Sequence, residues 1–122
     1  MSESTVVFPH NNLEAHQVAL EFTVAAWKIA EQIPRGGGPV ADQLRRAAVS
    51  TVTNIAEGAN RAGAGEKRQK FSIARGEVGE AAAALELGVA LGLVPAGEAE
   101  AARVLAGRVG AMLTQLIRRW GG

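Results

Sequence analysis

The 122-residue sequence contains no cysteine and no tyrosine. Without cysteine there is no disulfide, no thiolate metal site and no cysteine nucleophile. Aromatic residues are 4% of the chain, too few for an aromatic-rich β core. An excess of one charge is also missing, since 13 basic and 12 acidic residues leave a formal +1. The total therefore carries no nucleic-acid footprint, and any basic patch must come from uneven placement. No apolar run approaches the roughly 18–20 residues that span a bilayer. The opening MSESTVVFPHNNLE has neither the basic region nor the apolar stretch of a secretory signal, so the cytoplasm is the expected compartment. His10 and His16 stand six apart, off any metal-ligand spacing, and are expected to be exposed.

What is present is alanine, leucine, valine and glycine, a composition for helices packed through small side chains. The length suits a single domain with a real core. Residues 1–10 show no helical period and read as a flexible arm. The bundle domain is expected over 11–120. NNLE places Asn11 as an N-cap with Glu14 three residues on, in the manner of a capping box. A first helix is then predicted over about 11–33. Val18, Phe22, Ala25, Ile29 and Ile33 form one apolar stripe, and Leu13, Leu20, Val24 and Trp27 a second beside it. PRGGGP, residues 34–39, breaks the helix.

Further helices are predicted over about 40–60, 65–91 and 97–120, separated by ANRAGAGEK and GLVP. Phe71, Ala74, Val78, Ala82, Leu85 and Val89 line the third; Leu105, Val109, Met112, Leu116 and Trp120 line the fourth. Arg118 and Arg119 lie in its last turn, favourable to the helix dipole. Four helices with short breaks imply an all-α fold, an antiparallel up-down-up-down four-helix bundle. Gly76, Gly79 and Ala83 fall along one side of the third helix. Each mid-helix glycine costs about 1 kcal/mol of propensity, so close packing is expected to offset it.

Residues 43–58, QLRRAAVSTVTNIAEG, hold enough β-branched residues to suggest a strand. The alternation a strand needs is broken by RRAAV and IAEG. At about 100° per residue, Gln43, Arg46, Ser50, Thr53, Asn54 and Glu57 share one face, with Leu44, Ala47, Ala48, Thr51, Val52 and Ile55 opposite. One helix with a polar stripe explains the whole stretch. The stripe reads as a solvated face, as a paired network at a helix or subunit interface, or as a catalytic cluster. In the second reading Arg46 pairs with Glu80 of the third helix or with Glu57 of a neighbour, and the network sets register. Arg45 points elsewhere, about 100° around the helix. Catalysis is poorly supported: Ser50 has no histidine at a recognisable spacing, and no Glu-x-x-His motif offers a di-metal site.

The same stretch resembles the signature of the four-helix bundle proteins named after the 23S rRNA intervening sequence. That pattern runs close to Q-L-R-R-A-A-x-S-I-P-A-N-I-A-E-G. Gln43, Leu44, Arg45, Arg46, Ala47, Ala48, Ser50, Asn54, Ile55, Ala56, Glu57 and Gly58 match it. LEAHQVALEF is similar in outline to the family's opening helix, and FSIARGEVGEA resembles a later segment, with Ala74, Gly76 and Glu80 in place. The likeness covers about residues 11–119. Thr51, Val52 and Thr53 replace the frequent Ile-Pro-Ala, so the second helix is expected to be straighter. Glu77 replaces a usual serine. The resemblance implies a bundle assembled as a homopentamer with a central channel. Related accessory proteins of diversity-generating retroelements are basic barrels that bind nucleic acid and a reverse transcriptase. The resemblance carries over no catalytic residue and no cofactor.

Two functions follow. One is a non-enzymatic adaptor for RNA or DNA, or for a ribonucleoprotein, in which a ring multiplies a modest patch. Arg45, Arg61, Lys67, Arg68 and Lys70 are its candidate contacts, and a solvated turn is the simpler reading of the last four. The other is a structural or protein-binding scaffold, with the wide apolar surface of the first helix, Trp27 and Trp120 serving self-association. The interface network expected in either case is Gln43, Arg46, Ser50, Asn54, Glu57 and Glu80.

Overall fold

The computed structural model describes residues 5–121, and the first four residues of the expected arm lie outside them. Four helices follow in order: α1 (Glu14–Gln32), α2 (Gly38–Asn60), α3 (Ala64–Ala90) and α4 (Ala96–Arg119). Each packs against its two neighbours in the cycle α1–α2–α3–α4, with α2 against α3 the most extensive pair. Short connections make successive helices antiparallel. Among the described residues there is no strand.

The helix ends follow from local chemistry. Pro34 has no amide hydrogen and pushes the residue before it out of the helical region, so Ile33 is extended (φ −71°, ψ 127°) and α1 stops. The glycines then enter a 3-10 turn, Arg35–Gly37, that leads directly into α2. A Cβ on Gly37 would lie 2.6 Å from Ile33 Cγ2 and 2.7 Å from Leu93 Cδ1, so only glycine lets this turn close against the α3–α4 loop. At the end of α3, Gly92 adopts φ +73°. Leu93 N–H donates to Gly88 O (2.8 Å) and Gly92 N–H to Val89 O (3.0 Å), which is a Schellman stop.

The core is built from Phe22, Leu44, Ile55, Phe71, Leu85, Val109 and Leu113, all fully buried. Alanines fill the seams between them, including Ala19, Ala26, Ala47, Ala48, Ala74, Ala81, Ala102 and Ala106. Small seam residues let helices approach closely, which explains how so few aromatics close the core. Buried Thr51 donates to Ala47 O (2.8 Å) and leaves no orphan.

Several sequence expectations shift. The helix start moves from Asn11 to Glu14: Asn11 Oδ1 instead accepts from Phe8 N–H (2.8 Å), capping a 3-10 turn at Pro9–Asn12 that docks on α2. Buried Ala26 replaces Ala25 on α1; on α4 Val109 is buried as expected, Leu113 is buried beside it, and Leu105, Met112, Leu116 and Trp120 are half-buried. The buried line of α4 pivots about Val109, because Ala99, Ala102 and Ala106, together with Leu113, take the innermost positions. His16 is buried, not exposed. His10 stacks on Phe8 (centroids 5.7 Å) and meets His16 at a tilt (4.7 Å), and the docked turn covers His16. A methyl at Gly76 or Gly79 would meet nothing within 4 Å, so the close packing expected there is not made within the protomer.

Candidate functional site

The polar stripe of α2 faces α3, and it divides into three parts. At the top, Arg46 reaches across the helix pair. Its guanidinium donates to Glu77 Oε2 (3.0 Å) and Glu80 Oε1 (3.2 Å). Gln43 Nε2 donates to the same Glu80 oxygen (3.0 Å), while Gln43 Oε1 accepts from Arg46 Nε (3.3 Å). Glu77 is 15% exposed and Glu80 48%. A hydrogen bond from Glu80, helped by Ser50 and the Arg46 charge, holds Glu77 below the usual carboxylate range. The bond to Glu77 and its negative charge push Glu80 above it. The pair therefore takes its first proton at Glu80, and one carboxylate stays charged against Arg46.

In the middle, Asn54 Nδ2 donates to Ser50 O (2.9 Å) and Ser50 Oγ (3.1 Å) within α2. Asn54 bridges no helices in the protomer. At the bottom, Glu57 binds Lys70 (3.1 Å) and, more loosely, Arg61 (3.7 Å), which also meets Glu66 (3.6 Å). Lys67 Nζ donates to Ala59 O (2.9 Å) and Gly58 O (3.3 Å), neutralising the negative end of α2. Arg68 does the same for α4 through Trp120 O (2.8 Å). Lys67 also lies 5.1 Å from the Trp120 ring centroid, with Arg119 at 5.7 Å.

Gln43, Arg46 and Glu80 therefore converge, with Ser50 reaching Glu77, while Glu57 serves a separate clamp. Arg45 turns toward α1, its guanidinium 5.5 Å from the Trp27 ring centroid and near Asp42 (3.6 Å). The residue that sequence reasoning missed is Glu77. Its signal was present: Glu77 and Glu80, three apart, share a helix face. Half-exposed pairs contribute about 0–1 kcal/mol each, so the seam fixes how α2 registers on α3 more than it adds stability.

Beside the seam lies an open groove of about 400 Å³ whose walls include Val40, Gln43, Glu80, Ala83 and Leu87. Around the corner, α1 and α2 expose Leu20 (46%), Val24 (56%), Trp27 (42%) and Val49 (44%). Leu20, Val24 and Trp27 of the second α1 stripe are thus on the surface, while Leu13 packs half-buried against the core. Among the described residues, no three His, Asp or Glu side chains converge as a metal site, and no helix is long and apolar enough to cross a membrane.

These features define a closed helical bundle with an ion-paired seam between its second and third helices. The chain belongs to the 23S rRNA-intervening sequence protein family, whose model matches residues 11–115. It is similar in fold to a crystal structure of a protein of unknown function from the S23 ribosomal protein family of Bacteroides thetaiotaomicron. That likeness has a TM-score of 0.78 at 20% identity, over 84% of this chain and 97% of the other. No curated protein matches the sequence.

Proposed function

We propose that this chain is a non-enzymatic bundle protein that assembles into a homo-oligomeric ring, a pentamer, and works in the cytoplasm as a nucleic-acid or ribonucleoprotein adaptor. The observation that supports assembly is the exposed apolar face of Leu20, Val24, Trp27 and Val49. Soluble monomers rarely leave a contiguous apolar patch of this kind uncovered. A closed ring beyond a dimer needs two different surfaces per protomer. The groove of Val40, Ala83 and Leu87 is the second. It lies on the adjacent face of the bundle, not the opposite one, which suits copies that turn about a common axis. Charge agrees as well, with Arg45 beside the first surface and Glu80 at the second. Native mass spectrometry and light scattering test this. The wild type is expected as one closed oligomer, and Leu20→Glu with Val24→Glu as a folded monomer. A monomeric wild type at micromolar concentration refutes it.

A scaffold with no nucleic-acid role is the second reading, and one observation favours it. Arg45, Arg61, Lys67, Arg68 and Lys70 all have intramolecular partners. They hold helix ends and turns together, and do not form a free basic patch. A retroelement-type role, with a reverse transcriptase as partner, is the narrower form of the adaptor reading. Co-purification with the product of a neighbouring gene tests it.

A further inference from the structure

The 3-10 turn Pro9–Asn12 docks on α2 yet buries almost nothing of its own. Residues 5–12 are exposed throughout, apart from a half-buried His10. What fastens the turn is therefore largely polar. Among the described residues, one hydrogen bond joins it to α2: Asn60 Nδ2 donates to His10 Nδ1 (2.8 Å). The same Asn60 nitrogen also donates to Ala56 O (2.7 Å). On the other side, Gln17 Nε2 of α1 donates to Asn11 O (3.1 Å).

The Ala56 bond decides the chemistry of the His10 bond. A carbonyl oxygen only accepts, so the amide presents its NH2 end there. That NH2 only donates, so His10 Nδ1 accepts through a free lone pair, and the ring is neutral with its proton on Nε2. A second proton would set an N–H against the NH2 group. Flipping the amide gives no remedy, because its oxygen would then face Ala56 O. His16 lies beneath the turn, 8% exposed and 4.7 Å from His10 between ring centroids. Burial first, and the His10 charge second, hold its pKa below 6.5. No counter-charge relieves either ring. Glu14 of α1 is exposed and pairs with neither, Glu57 of α2 is taken by Lys70 and Arg61, and Arg61, next to Asn60, is itself a cation.

We propose that the Pro9–Asn12 turn is an acid-released latch, docked on α2 while His10 is neutral and freed when His10 takes a second proton. Histidine is the one side chain whose ordinary titration falls between pH 5 and 8. The turn leaves as a unit. Its internal bonds, Phe8 N–H to Asn11 Oδ1 (2.8 Å) and Asn11 N–H to Phe8 O (2.9 Å), do not titrate. The Gln17 tether does not titrate either, so the turn swings on α1 and away from α2. Release uncovers His16 and frees the segment that carries exposed Val6, Val7 and Phe8. His16 then meets water and takes its own proton, which holds the latch open. The released form binds the extra protons, so docking is favoured above the histidine range and lost as pH falls through it. The latch works in one protomer and is independent of the adaptor reading.

A nitroxide on Asn12→Cys, the single cysteine of the labelled full chain, reports the mobility of the turn by electron spin resonance. Loss of one hydrogen bond shifts docking about fivefold, so the ratio of mobile to immobile label is expected to rise about fivefold from pH 7.5 to pH 5. Helical circular dichroism is expected to stay constant over the same range. In His10→Asn the side-chain oxygen accepts from Asn60 and takes no proton, so the label should stay immobile at pH 5. In Asn60→Leu it should be mobile at both values. Unchanged mobility in the otherwise wild-type chain overturns the proposal. Release in His10→Asn equal to that of wild type places the sensor elsewhere and overturns it too. An immobile label in Asn60→Leu at pH 7.5 shows that this bond is not the fastener, with the same result. Helix lost in step with release makes the event global unfolding, and the latch falls.

Discussion

Gly58, in the last turn of α2, and Gly76, in the middle of α3, are both helical glycines, yet replacing each by alanine is expected to have opposite effects. In a helix, alanine is favoured over glycine by about 1 kcal/mol. At Gly76 nothing lies within 4 Å of the added methyl, so that gain is kept. At Gly58 the methyl would lie 2.7 Å from Phe71 Cε1, 2.8 Å from Cδ1 and 3.2 Å from Lys70 Cβ. Phe71 is 1% exposed and has nowhere to move. Overpacking of that kind costs about 1–3 kcal/mol. Gly58→Ala should therefore lose about 1 kcal/mol net, and the two variants should differ by about 2 kcal/mol. At this chain length 1 kcal/mol is about 4 °C in Tm. Thermal and urea melts followed by circular dichroism measure both. A double-mutant cycle with Phe71→Leu isolates the collision, because the smaller side chain should remove most of the Gly58→Ala penalty. A Gly58→Ala protein that melts at or above wild type refutes the reasoning. A Gly76→Ala protein that melts below wild type would mean a second chain packs there.

Lys67→Met and Arg68→Met should each cost about 1 kcal/mol in urea melts, since each strips a cation from the carbonyl end of a helix. Arg46→Met should cost about 1 kcal/mol or less, because it leaves Glu77 and Glu80 facing each other half in solvent; raising salt should narrow the difference from wild type. Burial first, and the neighbouring His10 charge second, hold the His16 pKa below 6.5. Below pH 6.5 the unfolded chain then binds more protons than the fold, so stability is full above that value and falls as pH drops through it. The decline between pH 7 and 5 should be smaller in His16→Leu.

The sequence determined most of the architecture by itself. Periodicity placed four helices to within a few residues, because proline and the clustered glycines stop helices by local chemistry that needs no tertiary partner. It separated the polar face of α2 from Leu44, Ala47, Ala48, Thr51 and Ile55, which are all buried. It offered Glu80 as one of two partners for Arg46, the other being Glu57 of a neighbour, and only the packing of α3 on α2 selects between them.

Tertiary structure decided what each charge is for. Lys67, Arg68 and Lys70 look like a basic patch along the chain, but helix ends at residues 59 and 120 and the Glu57 carboxylate are brought to them only by folding. It decided that His16 is covered by the turn before it, and that Leu20, Val24 and Trp27 stay outside. A wheel gives the angle of a side chain around its own helix. Whether that angle meets a neighbour, a carbonyl or open solvent depends on where the other three helices lie.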